Sequence, residues 1–268
     1  MLLFHRFLRR KEKKIKIYLA IGDLSKFRIK MFEELNVERV LVSYADIQGS
    51  ANFKLPFKDI MLDSGAYGAE NRGVKISLEA YILWLQLYLS TYPQITSYVS
   101  LDDLSSPETS EYNLLSMEAE GLHPMPVYHY GEPSSILDEL CANYEYVGIG
   151  GVAIGAMPHM QKFWEWCHQR YKDNKFHIFG IGTMTPFFNY QPYSIDSNSW
   201  TAGDRFMHIA GYKDGLPSWM HLSRKDTGWE LFFTHKELFS ANIRAMMDWE
   251  KLEWTKNIKE GNQQQWLI

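Results

Sequence analysis

Short apolar runs alternate with helix-like stretches along this chain, and three of the runs close on an aspartate. They are Ile60-Met61-Leu62-Asp63, Tyr98-Val99-Ser100-Leu101-Asp102 and Tyr193-Ser194-Ile195-Asp196. A run of this length that ends on a polar group and a turn signal reads as a buried parallel strand entering a loop. The pattern predicts eight strands, over Ile15–Ala20, Arg39–Tyr44, Asp59–Leu62, Tyr98–Leu101, Met125–Tyr128, Tyr146–Ile149, Phe176–Phe179 and Tyr193–Ile195. Helices are expected over Ser25–Asn36, Ser77–Ser90, Pro107–Glu120, Ser134–Asn143 and Met160–Tyr171, with Lys236–Lys256 as a terminal helix. Ser25 is a good N-cap, Glu79 suits the first turn of its helix, and Pro107 and Gly121 bracket another. Eight strands with interposed helices predict an α/β fold, a (β/α)8 TIM barrel; a doubly wound sheet is the alternative. The segment 201–228, with several glycines and one proline, is expected to be loop.

The 268 residues, 46% hydrophobic and 22% charged, fit one soluble globular domain spanning 1–268. Within it, 1–14 is a basic N-terminal segment and 201–268 a late loop with its helix. No linker, low-complexity tract or solenoid repeat breaks the chain. A net charge of -4 argues against coating nucleic acid by bulk electrostatics. Local basic patches survive that argument: Arg6, Arg9, Arg10, Lys11, Lys13 and Lys14 cluster near the start, as a solvated terminus or a phosphate contact. Cys141 and Cys167 form no CxxC, so a disulfide framework or a Cys-rich zinc site is not expected. With no signal-peptide pattern and no apolar run of membrane length, an intracellular, cytoplasmic protein is expected.

In a (β/α)8 barrel all strand ends meet at one face, where active sites are built. Asp63, Asp102 and Asp196 would therefore converge, joined by Asp103, Ser64, Gly65, Tyr67, His129, Gly150 and Gly151 from the same strand ends. Glycines there allow tight turns and let a flat ligand approach the backbone. Two or three carboxylates around one pocket suit substitution at an anomeric carbon, one attacking and another moving protons. The competing reading of each aspartate is a helix cap. Seven further histidines, His123, His159, His168, His177, His208, His221 and His235, show no HxH or HExxH spacing, and no metal site is expected.

The ordered series DSGAY at Asp63–Tyr67, SLDD at Ser100–Asp103, VYHYG at Val127–Gly131, YVGIGGVAIG at Tyr146–Gly155, FGIGT at Phe179–Thr183 and YSIDSNSW at Tyr193–Trp200 resembles the tRNA-guanine transglycosylase superfamily. The resemblance covers roughly residues 15 to 205, with DSG-aromatic and IGG-apolar-x-x-G its most specific parts. It implies a TIM barrel and a double displacement without a cofactor. By position, Asp196 would be the nucleophile at C1′ and Asp63 the acid/base. Asp102 would read the N–H edge of the base, and Gly151 would offer a backbone contact. His129 stands where the family usually has glutamine.

The chain departs from the tRNA enzymes in having no cysteine after Cys167, hence no Cys₃His zinc site, and Ser197-Asn198-Ser199-Trp200 in place of their basic loop motif. It is also short, with no added RNA-binding domain. These departures resemble the compact, zinc-free branch of phage and bacterial DNA-modification systems, inferred to exchange guanine in DNA for a 7-deazaguanine. The partners so implied are DNA in preference to tRNA, reached by base flipping or as a single strand, and a free base such as 7-cyano-7-deazaguanine. A homodimer or an accessory protein is a further candidate partner. Tyr67, Tyr128, Tyr130 and Trp200 are candidates for base stacking, and Arg205, Lys213, Arg224 and Lys225 for phosphate contact. The competing readings are a tRNA enzyme without zinc, a noncatalytic binding barrel and an unrelated barrel glycosidase.

Overall fold

The computed structural model describes residues 14–47, 55–151, 157–187, 190–202, 208–213, 216–221 and 234–252. Eight parallel strands build its centre: β1 (Lys16–Ile21), β2 (Arg39–Ser43), β3 (Asp59–Asp63), β4 (Ile95–Tyr98), β5 (Val127–His129), β6 (Tyr146–Gly150), β7 (Lys175–Ile178) and β8 (Ser194–Ser197). They pair in the order β4-β3-β2-β1-β8-β7-β6-β5. The two outer strands meet through a parallel bridge between Val99 and Met125. Around it Met125 N–H donates to the Tyr98 carbonyl at 2.7 Å and Ser100 N–H to the Met125 carbonyl at 3.0 Å. The sheet therefore curls into a (β/α)8 TIM-like barrel.

Helices alternate with the strands: α1 (Lys26–Glu34), α2 (Tyr44–Ile47), α3 (Ala66–Asn71), α4 (Leu78–Thr91), α5 (Pro107–Ala119), α6 (Ser134–Asn143) and α7 (Met157–Arg170). Their starts follow ordinary capping chemistry. Ser25, Ser77 and Ser106 each accept a backbone N–H in the first turn, and Pro107 opens α5.

Strand parity separates two cores. Ile17, Leu19, Val40, Val42, Ile60, Leu62, Val147, Ile149 and Ile195 point outward into the helix layer. Tyr18, Leu41, Met61, Val99 and Met125 fill the barrel interior, flanked by Ala20, Val127, Tyr146 and Phe179. This alternation places residues 59, 61 and 63 of β3, and 194 and 196 of β8, inside the barrel.

Ion pairs gather at the N-terminal end of the barrel. Asp59 takes Lys16 Nζ at 3.1 Å and the Tyr18 hydroxyl at 2.9 Å. Burial alone would raise its carboxyl, but hydrogen bonds from Thr96, Tyr18 and Lys16 outweigh that and hold it below its ordinary value. Beside it Arg39 Nη1 lies 2.8 Å from both oxygens of Glu250, which also accepts the Ile17 N–H.

Two expectations need correction. The β4 ladder runs over Ile95–Tyr98, ahead of the expected segment, because β3 pairs with it there through a register shift between Ile60 and Met61. The segment 201–228 contains an antiparallel hairpin, β9 (His208–Lys213) and β10 (Leu216–His221). Gly211 and Pro217 read as loop signals, yet a two-stranded ribbon tolerates both because its outer edges need no donor. Helix α8 (His235–Trp249) starts with a capping box between Thr234 and Glu237. Its buried Asn242 binds the hairpin through the Ala210 N–H at 2.8 Å. Among the described residues no helix is long and apolar enough to cross a membrane.

Candidate active site

Asp63, Asp102, His129 and Asp196 sit at the C-terminal ends of β3, β4, β5 and β8, one mouth of the barrel. Asp63 Oδ2 accepts the Ser43 hydroxyl at 3.0 Å and the Gly65 N–H at 2.9 Å. Gly65 is obligatory here: its φ is 73°, and a Cβ would lie 2.8 Å from that of Ala45. Burial, then the charges of Asp102 and Asp196, push the Asp63 carboxyl up to about 7. The charges that raise it are carried by two other strand ends of the same mouth.

Asp102 is tied to both neighbours. Its Oδ1 accepts the buried Ser64 hydroxyl at 3.3 Å, and its Oδ2 lies 2.8 Å from His129 Nε2. On the other side of the imidazole, Nδ1 is 3.6 Å from Glu132 Oε1, an ion-pair distance rather than a hydrogen bond. Glu132 Oε2 accepts the His129 backbone N–H at 2.8 Å. Burial alone would lower the His129 imidazole, but Asp102 and Glu132 outweigh it and raise it to about 9. The ring needs Gly150 beneath it, where a Cβ would lie 2.7 Å from its Cδ2. Gly151, at φ 73°, turns the chain beside the Tyr130 backbone.

Asp196 is 6% exposed, and both of its described contacts fall on Oδ1: the Gly180 N–H at 2.9 Å and His177 Nε2 at 3.2 Å. His177 is fully buried, and its Nδ1 lies 2.7 Å from Ser194 Oγ. No role was expected of His177, Ser194 or Glu132. Strand parity carried the signal for the first two, since residues 177, 194 and 196 all face the barrel interior once β7 and β8 pair.

The chain is matched by no family model, and no curated protein matches it. Among solved structures it is similar to one described as a structural study from Aquifex aeolicus VF5, at 14% identity and a TM-score of 0.46, covering 72% of this chain and 87% of that one.

Several expected contacts are absent from the mouth. Trp200 is wholly buried, so it cannot stack on a base; its Nε1 donates to the Ala20 carbonyl at 2.9 Å and its ring meets Phe32 and Phe239 edge-on. Tyr128 is also buried, with its ring over Phe163 and its hydroxyl on the Glu132 carbonyl. Asp103 spends Oδ1 on the Ser105 N–H and hydroxyl, a local turn ahead of α5. Tyr67, by contrast, is 60% exposed on α3, just past Gly65. Tyr130 is half-buried, edge-on to Phe163. Lys213 ends β9 on the surface. Arg205, Arg224, Lys225, the basic residues before Lys14 and the stretch Val152–Gly155 lie outside the described residues. Among the described residues no trio of His, Cys, Asp or Glu is arranged to hold a metal ion.

Proposed function

We propose that this protein is a guanine transglycosylase that exchanges guanine in DNA for a 7-deazaguanine such as 7-cyano-7-deazaguanine. The observation that carries the reading is the convergence of Asp63, Asp102 and Asp196 at one barrel mouth, each with its own hydrogen-bond partners. Asp196, held by donors on Oδ1, attacks C1′ of the target nucleotide through its other oxygen. The C1′–N9 bond breaks, its electron pair leaves with guanine, and Asp63 in its acid form supplies the proton. The product is a glycosyl ester on Asp196. The incoming base then gives its N–H proton to Asp63, attacks C1′ and releases Asp196. Two inversions at C1′ retain the configuration, as in retaining glycosidases.

A carboxyl raised to about 7 serves both halves of that cycle, because it donates and accepts near neutral pH. Asp102 offers carboxylate oxygens to a ring N–H edge, with His129 fixing its orientation. Tyr67, exposed on α3 just past Gly65, is the candidate for stacking on a flipped base. The preference for DNA rests on the absence of any cysteine after Asp196 and on Ser197-Asn198-Ser199-Trp200 in place of a basic loop motif.

The test is base exchange by the purified protein. Labelled 7-cyano-7-deazaguanine is offered with single-stranded DNA, duplex DNA or tRNA, and each polymer is digested and read by mass spectrometry. Label in DNA is the expected result. Label in tRNA alone moves the protein to the RNA branch, and label in none of them, with other deazaguanines also tried, overturns the reading.

A further inference from the structure

We infer that His177 is the positioning residue of Asp196, holding Oδ1 by an Nε2–H donation at the end of a directed chain of buried hydrogen bonds. The inference rests on the transglycosylase reading for its catalytic consequence, but its geometry stands apart from it. The chain runs from the Tyr146 hydroxyl to Ser194 Oγ at 2.5 Å, from Ser194 Oγ to His177 Nδ1 at 2.7 Å, and from His177 Nε2 to Asp196 Oδ1 at 3.2 Å.

The donor and acceptor inventory sets the direction of every link. An ionised Asp196 only accepts, so His177 Nε2 must carry a proton. A neutral imidazole then has a bare Nδ1, which needs a donor, and the Ser194 hydroxyl is the group at hydrogen-bond distance. Ser194 Oγ in turn accepts from the Tyr146 hydroxyl, which burial holds well above its ordinary titration range and so keeps protonated. Among the described residues every group is satisfied in this arrangement. A protonated His177 would donate Nδ1–H to Ser194 Oγ and leave one hydroxyl proton, that of Ser194 or that of Tyr146, without a described acceptor. Buried polar chains of this kind hold their members in place because a broken link strands a donor or acceptor away from water.

The packing leaves His177 little freedom. Its ring lies edge-on between Tyr18, at 6.0 Å between centroids, and Phe179, at 4.5 Å. Gly148 makes room for Phe179, since a Cβ there would lie 2.6 Å from its ring. Gly180, in the left-handed region at φ 66°, aims its N–H at the same Oδ1. Two donors from one strand end therefore fix one oxygen of Asp196, Oδ1. Without His177 the Gly180 N–H is the one described contact left on that oxygen, and a displacement of about 1 Å in a reacting group costs about 100-fold in rate.

The test pairs a structural reading with a kinetic one. In full-length protein carrying ¹⁵N-histidine, long-range ¹H–¹⁵N NMR should show His177 as the Nε2–H tautomer with an unprotonated Nδ1. The Nδ1–H tautomer, or an imidazolium at pH 7.5, overturns the inference. In the exchange assay, His177→Leu should lower kcat about 100-fold with KM for the free base within about threefold. His177→Gln, which can place an amide N–H near the Nε2 position, should recover part of that loss. A folded Leu variant with wild-type kcat overturns the inference as well. If the wild-type protein exchanges no base, the transglycosylase reading falls, and the tautomer then decides the His177 assignment on its own.

Discussion

His129 Nε2 lies 2.8 Å from Asp102 Oδ2, while Glu132 faces the opposite edge of the same ring at 3.6 Å. An imidazole between two carboxylates, raised to about 9, is a cation at neutral pH. It offsets much of the negative charge that three aspartates and a glutamate would otherwise gather at the mouth, which would favour approach of the anionic polymer in the proposed reaction.

This pairing should appear in stability. The folded state keeps His129 protonated up to about 9, whereas the unfolded chain releases that proton near its ordinary value of 6.5. The stabilisation is full below 6.5, declines between 6.5 and 9, and is gone above that. His129→Gln should therefore cost about 3 kcal/mol at pH 6 and much less at pH 10. Urea unfolding of both proteins at the two pH values measures it, and an equal cost at both would contradict the assignment.

Asp63 has the opposite sign. Its folded carboxyl, raised to about 7, penalises the native state as pH climbs from 3.8 to 7, and the full penalty persists above. Asp63→Asn should accordingly raise stability at pH 8 by on the order of 2–4 kcal/mol and leave it nearly unchanged at pH 4. The same variant should lose base exchange, and wild-type activity should fall as pH rises past about 7, where the acid form disappears. A pH series of melting temperatures and exchange rates reads both effects.

Asp196→Asn should abolish exchange while circular dichroism shows the fold intact, because the amide oxygen can still accept from Gly180 and His177. Mass spectrometry of the quenched wild-type reaction should detect a protein–DNA ester that the variant lacks. Normal exchange by the folded variant would remove Asp196 as nucleophile.

Asp102→Ala should weaken binding of the free base far more than binding of the polynucleotide. Calorimetry with each ligand separates the two, and equal losses would contradict a role in reading the base.

Gly150→Ala places a methyl 2.7 Å from His129 Cδ2. The ring must move off Asp102, so a loss of roughly 1–3 kcal/mol is expected, together with weaker base binding. A variant as stable as the wild type, with the 2.8 Å contact to Asp102 intact in a crystal structure, would show that the cradle yields more easily than its geometry implies.

The barrel was legible from sequence because each buried strand carries its own apolar run, and caps such as Ser25, Ser77 and Pro107 mark helix starts locally. The β9–β10 hairpin was not, because Gly211 and Pro217 mimic loop chemistry and only pairing and the contacts of Asn242 reveal the strands. At the mouth, Asp63, Asp102 and Asp196 could be read off strand ends. His177 could not, since a lone buried histidine has no motif and gains meaning only when β7 and β8 align it with Asp196. Trp200 misled for the converse reason. Its place after the last aspartate suggested the mouth, whereas the turn following β8 carries the ring into the layer beneath α8.

The ion pairs of Asp59 with Lys16 and of Arg39 with Glu250 lie at the N-terminal end of a barrel whose interior is filled by Tyr18, Leu41 and Met61. Under the transglycosylase proposal, that filled interior has a consequence for traffic. The outgoing guanine and its replacement would both pass through the mouth, so the DNA would wait, tethered by its ester, while the vacated seat is refilled. Exchange kinetics of the ping-pong type would then reflect the filled interior as much as the aspartates above it.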